Sequence, residues 1–243
     1  MKKIVLFFML IYLPLTFAHT FQVGETLEYN IYALGWKVAH HVVRIDGIVD
    51  VNGREAYKIS SHIKTYPFVE RFYKLKDTVY AYMDTKTLQL LKFEAYKEEG
   101  NWKDYAFGTN CVAEQKLYYY DKGKNLLVLP YKKPLLDLVS MIFYGRTLDL
   151  KVGKKHTFSI VDHRKISSIT TRVKSVSKVR IHVLDRRKKF STIRIQEIGG
   201  KDVGVWFTDD ADKIPFQIVS MKIKIIGLSL GSVKSVLTKY KKK

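Results

Sequence analysis

From Thr26 onward the chain alternates apolar and polar residues with a period of two, and this rhythm, repeated run after run, confines it to a mainly β, antiparallel architecture. Leu27, Tyr29, Ile31 and Ala33 share one face while Glu28, Asn30 and Tyr32 share the other, the pattern of a half-buried strand ended by Gly35. The runs WKVAHHVVRID and REAYKISSHIK follow, with Asn52-Gly53 between them as a two-residue hairpin signal. TYPFVERFYKLK and DTVYAYMD read as a further pair of strands. LQLLKFEAYKEEG and NWKDYAFGTNCVA meet at Gly100-Asn101, and EQKLYYYD and NLLVLP meet around Lys122-Gly123. After Gly153 the same texture resumes in HTFSIVD, ISSITTRVKSV, KVRIHVLD, FSTIRIQEI, VGVWFTD, PFQIVSMKIKII and LSLGSVKSVL. Tyr, Phe, Val and Ile dominate these runs, as a sheet requires.

One stretch breaks the rhythm. Over residues 134–145, Leu135, Leu138, Val139, Ile142 and Phe143 recur at helical spacing, Leu136 and Met141 widen that face, and Asp137, Ser140 and Tyr144 form a narrow polar stripe. Pro134 suits a first turn, Asp137 the positive end of the dipole, and Gly145-Arg146 a C-terminal stop. About eleven residues cannot hold as an isolated helix, so burial on more than one side must stabilise it.

The two flanks of this helix share spacings. Gly24 is followed five and seven residues later by Tyr29 and Ile31, and Gly153 by Phe158 and Ile160; Asp84 precedes Leu88 by four, and Asp210 precedes Ile214 by four. These matches predict two similar meanders, 23–97 and 152–225, with the helix between them as a hinge whose base lies in their common core. No linker rich in Pro, Ser or Gly separates them, so residues 19–238 are expected to form a single β-rich domain, a curved sheet or open barrel, followed by a basic tail at 239–243.

Residues 1–18 read as a signal peptide: a charged MKK, an apolar run of about fifteen residues broken by Pro14, and Thr16 and Ala18 at the −3 and −1 places. The run is short for a bilayer span of roughly twenty residues. The expected location is therefore the periplasm or the exterior, with His19 as the mature start. Cys111 is the one Cys, which excludes an internal disulfide, a Cys-based zinc site and a dithiol redox centre. The formal charge of +20 becomes +18 without Lys2 and Lys3, which favours anionic partners.

Gly24-Glu25-Thr26-Leu27-Glu28-Tyr29, Tyr82-Met83-Asp84 with Thr87-Leu88, then Asp137, Ser140, Tyr144 and Arg146, and finally Trp206, Asp210 and Pro215 occur in a distinctive order. In these residues the chain resembles the exported bacterial family known as domain of unknown function 3108, over nearly the whole mature length. Lys92 and Phe93 stand where that family often carries a Pro, and the basicity here is unusual. The resemblance implies a periplasmic, mostly β domain and no established activity.

No catalytic constellation emerges. Gly227-Leu228-Ser229-Leu230-Gly231 has the G-x-S-x-G form, but no Asp, Glu or His follows Ser229 to complete a hydrolase triad. Asp209, Asp210 and Asp212 lack calcium-loop spacing and suit a turn before Pro215. His40 and His41 point to opposite strand faces, and His62, His156, His163 and His182 show no zinc spacing. Asp137 and Arg146 would stand roughly 13 Å apart on an ideal helix, so each needs its own partner.

These readings converge on a non-enzymatic periplasmic binding or carrier protein for a hydrophobic or lipid-like ligand, without metal or cofactor. Tyr29, Tyr80, Asp137, Ser140, Phe143, Tyr144 and Trp206 are the expected lining of its cavity. The alternative is a structural or interaction protein of the envelope with a solid core. Its basic outer face, Arg172, Lys174, Lys178, Arg180, Lys222 and Lys224, would meet an anionic membrane surface, lipopolysaccharide or another anionic polymer. Nucleic acid is not an expected partner, since no nucleic-acid motif appears.

Overall fold

The computed structural model describes residues 21–122, 124–180, 189–198, 203–221, 224–225, 228–229 and 232–242. The segment 1–18, which the sequence reads as a signal peptide, therefore lies outside the described residues, as does Lys222. A first series of strands runs β1 (Thr26–Ala33), β2 (Trp36–Val51), β3 (Arg54–Thr65), β4 (Leu75–Asp84), β5 (Leu90–Glu99), β6 (Trp102–Cys111), β7 (Lys116–Asp121) and β8 (Asn125–Pro130). A second comprises β10 (Lys155–Asp162), β11 (Lys165–Arg180), β12 (Lys189–Glu197), β13 (Val203–Thr208), β14 (Pro215–Met221) and β17 (Ser232–Lys241). Between the series lie β9 (Leu135–Leu136), the helix α2 (Ser140–Tyr144) and a 3₁₀ turn, Gly145–Thr147.

All of these strands form one sheet in the order β8-β7-β6-β5-β4-β3-β2-β1-β17-β14-β13-β12-β11-β10-β9. Neighbours are antiparallel except β9 and β10, and a separate two-stranded sheet joins β15 (Lys224–Ile225) to β16 (Leu228–Ser229). The sheet is open, because β8 and β9 at its ends do not pair. It curls far enough, however, for the β10–β11 turn to reach the far end: Arg164 forms an ion pair with Asp121 at the end of β7, and Lys97 Nζ lies 3.4 Å from His163 Nε2. Among the described residues no helix is long and apolar enough to cross a membrane.

The Asn52-Gly53 hairpin takes the form its residues demand. Both have positive φ, 54° and 78°, which a type I′ turn needs and which Asn and Gly tolerate. Pro67 alters the reading of the stretch after β3: it starts a one-turn helix, α1 (Pro67–Glu70), where the sequence reads as strand, because Pro fits the first helical turn and cannot donate to a ladder.

The two series share a frame. Gly24, at φ 87°, donates its N–H to the Ile45 carbonyl (2.8 Å), and Ile45 returns its own to the Glu25 carbonyl (3.0 Å). Gly153, at φ 89°, does the same with Val173 (2.9 Å), and Val173 with Lys154 (2.9 Å). The ladder then skips one residue after Ile45 and likewise after Val173. An extra residue in the β1–β2 ladder, opposite Ile31 and Tyr32, accounts for the single-residue difference in spacing. The later loops agree as well. Asp84 Oδ1 accepts the N–H groups of Lys86 (3.0 Å) and Thr87 (2.6 Å), Asp210 Oδ1 those of Asp212 (3.1 Å) and Lys213 (3.0 Å), and Leu88 and Ile214 are buried after them.

The central segment departs from the sequence reading. Residues 134–145 do not form one helix: Leu135 and Leu136 are a short parallel strand beside Ser159 and Ile160, and the α-helix is confined to Ser140–Tyr144. The free edge of β10 supplies the reason, since Ser159 donates its N–H to the Pro134 carbonyl (2.9 Å) and holds the chain extended there. Leu135 and Leu136 then bury opposite faces. Leu135 joins the large core with Leu27, Tyr29, Ile59 and Leu117, while Leu136 joins Phe158 and Ile160. Leu138, assigned to the apolar face, is 57% exposed. Further on, Leu148 and Leu150 pack on Val173, Ile193, Ile195 and Phe207. One segment thus touches all three apolar clusters, which is why so short a helix is stable.

Candidate functional site

The polar stripe of the central segment is where a site was expected, and its residues separate. Asp137 and Ser140 satisfy each other: Ser140 N–H donates to Asp137 Oδ1 (2.7 Å) and Asp137 N–H to Ser140 Oγ (3.0 Å), a reciprocal pair that closes the turn leading into the helix. Burial pushes the Asp137 carboxyl above the ordinary carboxylate range, opposed by the Ser140 hydrogen bonds. Ser140 is fully buried. Tyr144 turns the other way and packs edge-on against Phe158, ring centroids 6.2 Å apart.

Arg146 is also completely buried, and its guanidinium is held from several sides. It pairs with Glu25, donates from Nε to the Asp212 carbonyl (2.8 Å), and lies 5.6 Å from the Phe21 ring and 5.9 Å from that of Phe143. Phe143 is therefore a wall of this ion pair, itself 0% exposed. Glu25 is held by the bend at Gly24 and accepts the Gln22 N–H as well (3.2 Å). A pair this enclosed locks the central segment to β1, and loss of either partner leaves a buried charge.

Tyr29 is likewise structural. Its hydroxyl donates to the Pro215 carbonyl (2.8 Å), and its ring stacks on His41 at 5.7 Å. Burial lowers the His41 pKa to about 4, so the ring is neutral at pH 7, and its Nε2 lies 2.8 Å from Ser61 Oγ. Trp206 is partly buried, with the Arg194 guanidinium 4.9 Å over its ring.

A cavity of about 90 Å³ lies where the curled sheet meets itself, between β4–β7, the start of the central segment and the β10–β11 turn. Val79, Phe93, Ala95, Ala106, Tyr119, Val139 and Val161 supply its apolar wall, with Asp137 among them and Lys97, Asp104, Asp162 and His163 adding charge. Of the seven candidate lining residues, Asp137 borders this space; Tyr29, Ser140, Phe143, Tyr144 and Trp206 belong to packing elsewhere. Among the described residues no group of three or more His, Cys, Asp or Glu is placed to hold a metal ion. Asp210 is occupied by its turn and by the Thr208 hydroxyl (2.8 Å). Of the G-x-S-x-G stretch, Leu228 and Ser229 lie in β16 and the rest outside the described residues.

Tyr80 points outward. It meets His62 at 6.1 Å and Tyr96 at 6.5 Å, and from Tyr96 a chain of ring contacts continues through Tyr105 (4.7 Å), Phe107 (5.8 Å) and Tyr120 (4.5 Å). This ladder crosses the solvent side of β3–β7. The sequence reading placed Tyr80 in the lining of an internal cavity, whereas its ring stands on the outer face with Tyr96.

Of the anion-facing candidates, Lys174 is exposed at the β11 bulge and Arg172 is half-buried. Lys178, Arg180 and Lys224 fall in strands whose side chains there lie outside the described residues. Charge nonetheless divides sharply along the chain. Residues 21–130 hold 15 Lys and Arg against 14 Asp and Glu, whereas residues 151–243 hold 23 against 7.

The family model for a protein of unknown function, DUF3108, matches residues 28–237, nearly all of the strands just described. The chain belongs to the DUF3108 family. Among solved structures, this DUF3108 member is similar to a Bacteroides fragilis NCTC 9343 protein described as exported and with a YmcC-like fold. The two are 10% identical, with 92% of this chain and 98% of that one covered and a TM-score of 0.32. A search of the curated proteins gave no match.

Proposed function

We propose that this DUF3108 protein is a non-catalytic, exported envelope module that docks phosphate-bearing anionic surfaces through the basic exterior of its second half. The charge division carries the reading. Within residues 151–243, Lys154, Lys165, Lys174, Lys234 and Lys239 are all exposed, and so strong a one-signed surface attracts anionic lipid headgroups or lipopolysaccharide phosphates. The interior supports the same choice, because small-molecule sites occupy roughly 300–1,000 Å³ and the seam cavity holds about 90 Å³. The hydrophobic-ligand carrier is the second reading. It rests on the mainly apolar wall of that cavity and on Asp137 beside it.

Cosedimentation of the purified protein with phosphatidylglycerol vesicles, phosphatidylcholine vesicles and lipopolysaccharide tests the proposal. The expected result is binding to one or both anionic surfaces and none to phosphatidylcholine, with a steep loss as salt rises. Arg172→Gln combined with Lys174→Glu weakens it. Equal binding to the neutral vesicles, or none to any, overturns the reading, and a stoichiometric lipid recovered by solvent extraction restores the carrier.

A further inference from the structure

The turns at the two ends of the first series of strands differ in kind. Antiparallel neighbours alternate in direction, so the turns β1–β2, β3–β4 and β5–β6 leave from one end of the sheet, and β2–β3, β4–β5 and β6–β7 from the other. The second end is polar, as loops usually are: its exposed residues include Asn52, Lys86, Thr87, Glu114 and Gln115. The first end instead exposes Leu34 and Trp36 on one turn, Phe68 and Phe72 in and after α1, and Trp102 at the start of β6. Phe72 is 88% exposed, Trp36 71% and Leu34 69%, which leaves them little packing within the protein.

Leu34 also sits where a leucine is costly. With Gly35 it makes a two-residue turn at φ 51° and 82°, matching Asn52-Gly53 at 54° and 78° on the opposite end. Asn suits that left-handed position, and a bulky side chain is uncommon there. Leu88 is another leucine at positive φ, but it is buried in the large core. Leu34 gains no such burial in return for its backbone. Cations surround these apolar tips: Lys37, Lys64, Arg71, Lys74 and Lys103 outnumber Glu70, Glu98 and Glu99. Lys74 and Lys103 share Glu98, Lys37 lies over the Tyr66 ring, and Arg71 is exposed and in no ion pair among the described residues.

Separate apolar tips spread over about 24 Å of sheet, from β1 to β6 at the usual strand spacing, do not form the continuous face that a protein partner packs on. They suit a lipid–water interface, where Trp, Phe and Leu enter at headgroup depth while Lys and Arg meet the phosphates. We propose that this end of the sheet inserts into an anionic lipid bilayer, with Leu34, Trp36, Phe68, Phe72 and Trp102 below the headgroups and the surrounding cations among them. The surface is separate from the basic second half, so insertion and docking can fail independently.

The test mixes the protein with phosphatidylglycerol vesicles whose acyl chains are brominated, and follows Trp fluorescence. The expected result is quenching that is absent with brominated phosphatidylcholine. It is also absent from the double variant Trp36→Phe, Trp102→Phe, in which the half-buried Trp206 is the remaining Trp. Leu34→Asn separates insertion from folding, because Asn suits the turn better: the thermal midpoint holds or rises while vesicle affinity falls about tenfold. Quenching that is untouched by Arg172→Gln with Lys174→Glu supports insertion and removes the basic face. Cosedimentation without quenching overturns insertion and leaves the basic face standing, whereas no binding to either vesicle overturns both. Quenching retained by the double Trp variant, or unchanged affinity in Leu34→Asn, also overturns insertion. A dimer in sedimentation that Phe72→Ser dissociates does so as well, and assigns this end to a second copy of the chain.

Discussion

The two meanders are laid on one backbone plan and differ in what that plan carries. At the opening bend both use a glycine with φ near +90° and the same pair of hydrogen bonds, yet the residue after the glycine is Glu25 in one and Lys154 in the other. Glu25 is fully buried and holds Arg146, while Lys154 is exposed and lies 3.8 Å from Asp149. Counting back from Ile45 and Val173, the first half has the half-buried His41 where the second has Ile169. A repeated frame thus fixes where strands bend, and leaves the chemistry at each bend free to diverge.

The largest test of this contrast is the pair of alanine substitutions at the matching bends. Glu25→Ala is expected to cost about 3–5 kcal/mol, because it strands the buried Arg146 charge, and Lys154→Ala under about 0.5 kcal/mol as an exposed change. Denaturant unfolding measures both, and similar costs would remove the distinction between the bends. Next in size is the acid response of His41. Its folded pKa, about 4, lies below the unfolded value near 6.5, so its contribution is fully present above pH 6.5 and is lost as pH falls through 4, about 3 kcal/mol in all. His41→Gln should flatten the stability profile between those pH values relative to the wild type, and a parallel profile would place the acid sensitivity elsewhere. Smallest are Gly24→Ala and Gly153→Ala, each expected to cost about 1–2 kcal/mol from the left-handed backbone alone. Their thermal midpoints should fall together, and a clear inequality would mean that the two bends are not equivalent.

Much of this plan could be read from residue order. Asn52-Gly53 announced its turn because few other pairs tolerate two positive φ angles, and the equal spacings after Gly24 and Gly153 reflect the shared bend geometry. The central segment was harder, because Leu135 and Leu136 in an unbroken apolar run look alike as helix or as a strand buried on both faces; the free edge of β10 decided between them. The partner of Arg146 was out of reach for another reason. Glu25 lies 121 residues away, and no local pattern marks which carboxylate will be buried with it. The outer ring ladder escaped because hydrophobicity alone does not say which phase of a strand faces water.

The pairing of β1 with β17 carries a consequence for how the molecule is made. The first and last long strands of the sheet lie side by side, so Glu28 accepts a hydrogen bond from Thr238 across 210 residues of sequence. Contacts of such separation slow folding, because the loop-closure entropy must be met before the pairing is gained. Emerging from a ribosome, the first meander waits with its β1 edge bare, unable to finish the sheet until the ten-residue strand Ser232–Lys241 arrives. The same pairing makes removal of residues 232–241 an opening of the sheet at its middle rather than a trimming of its end.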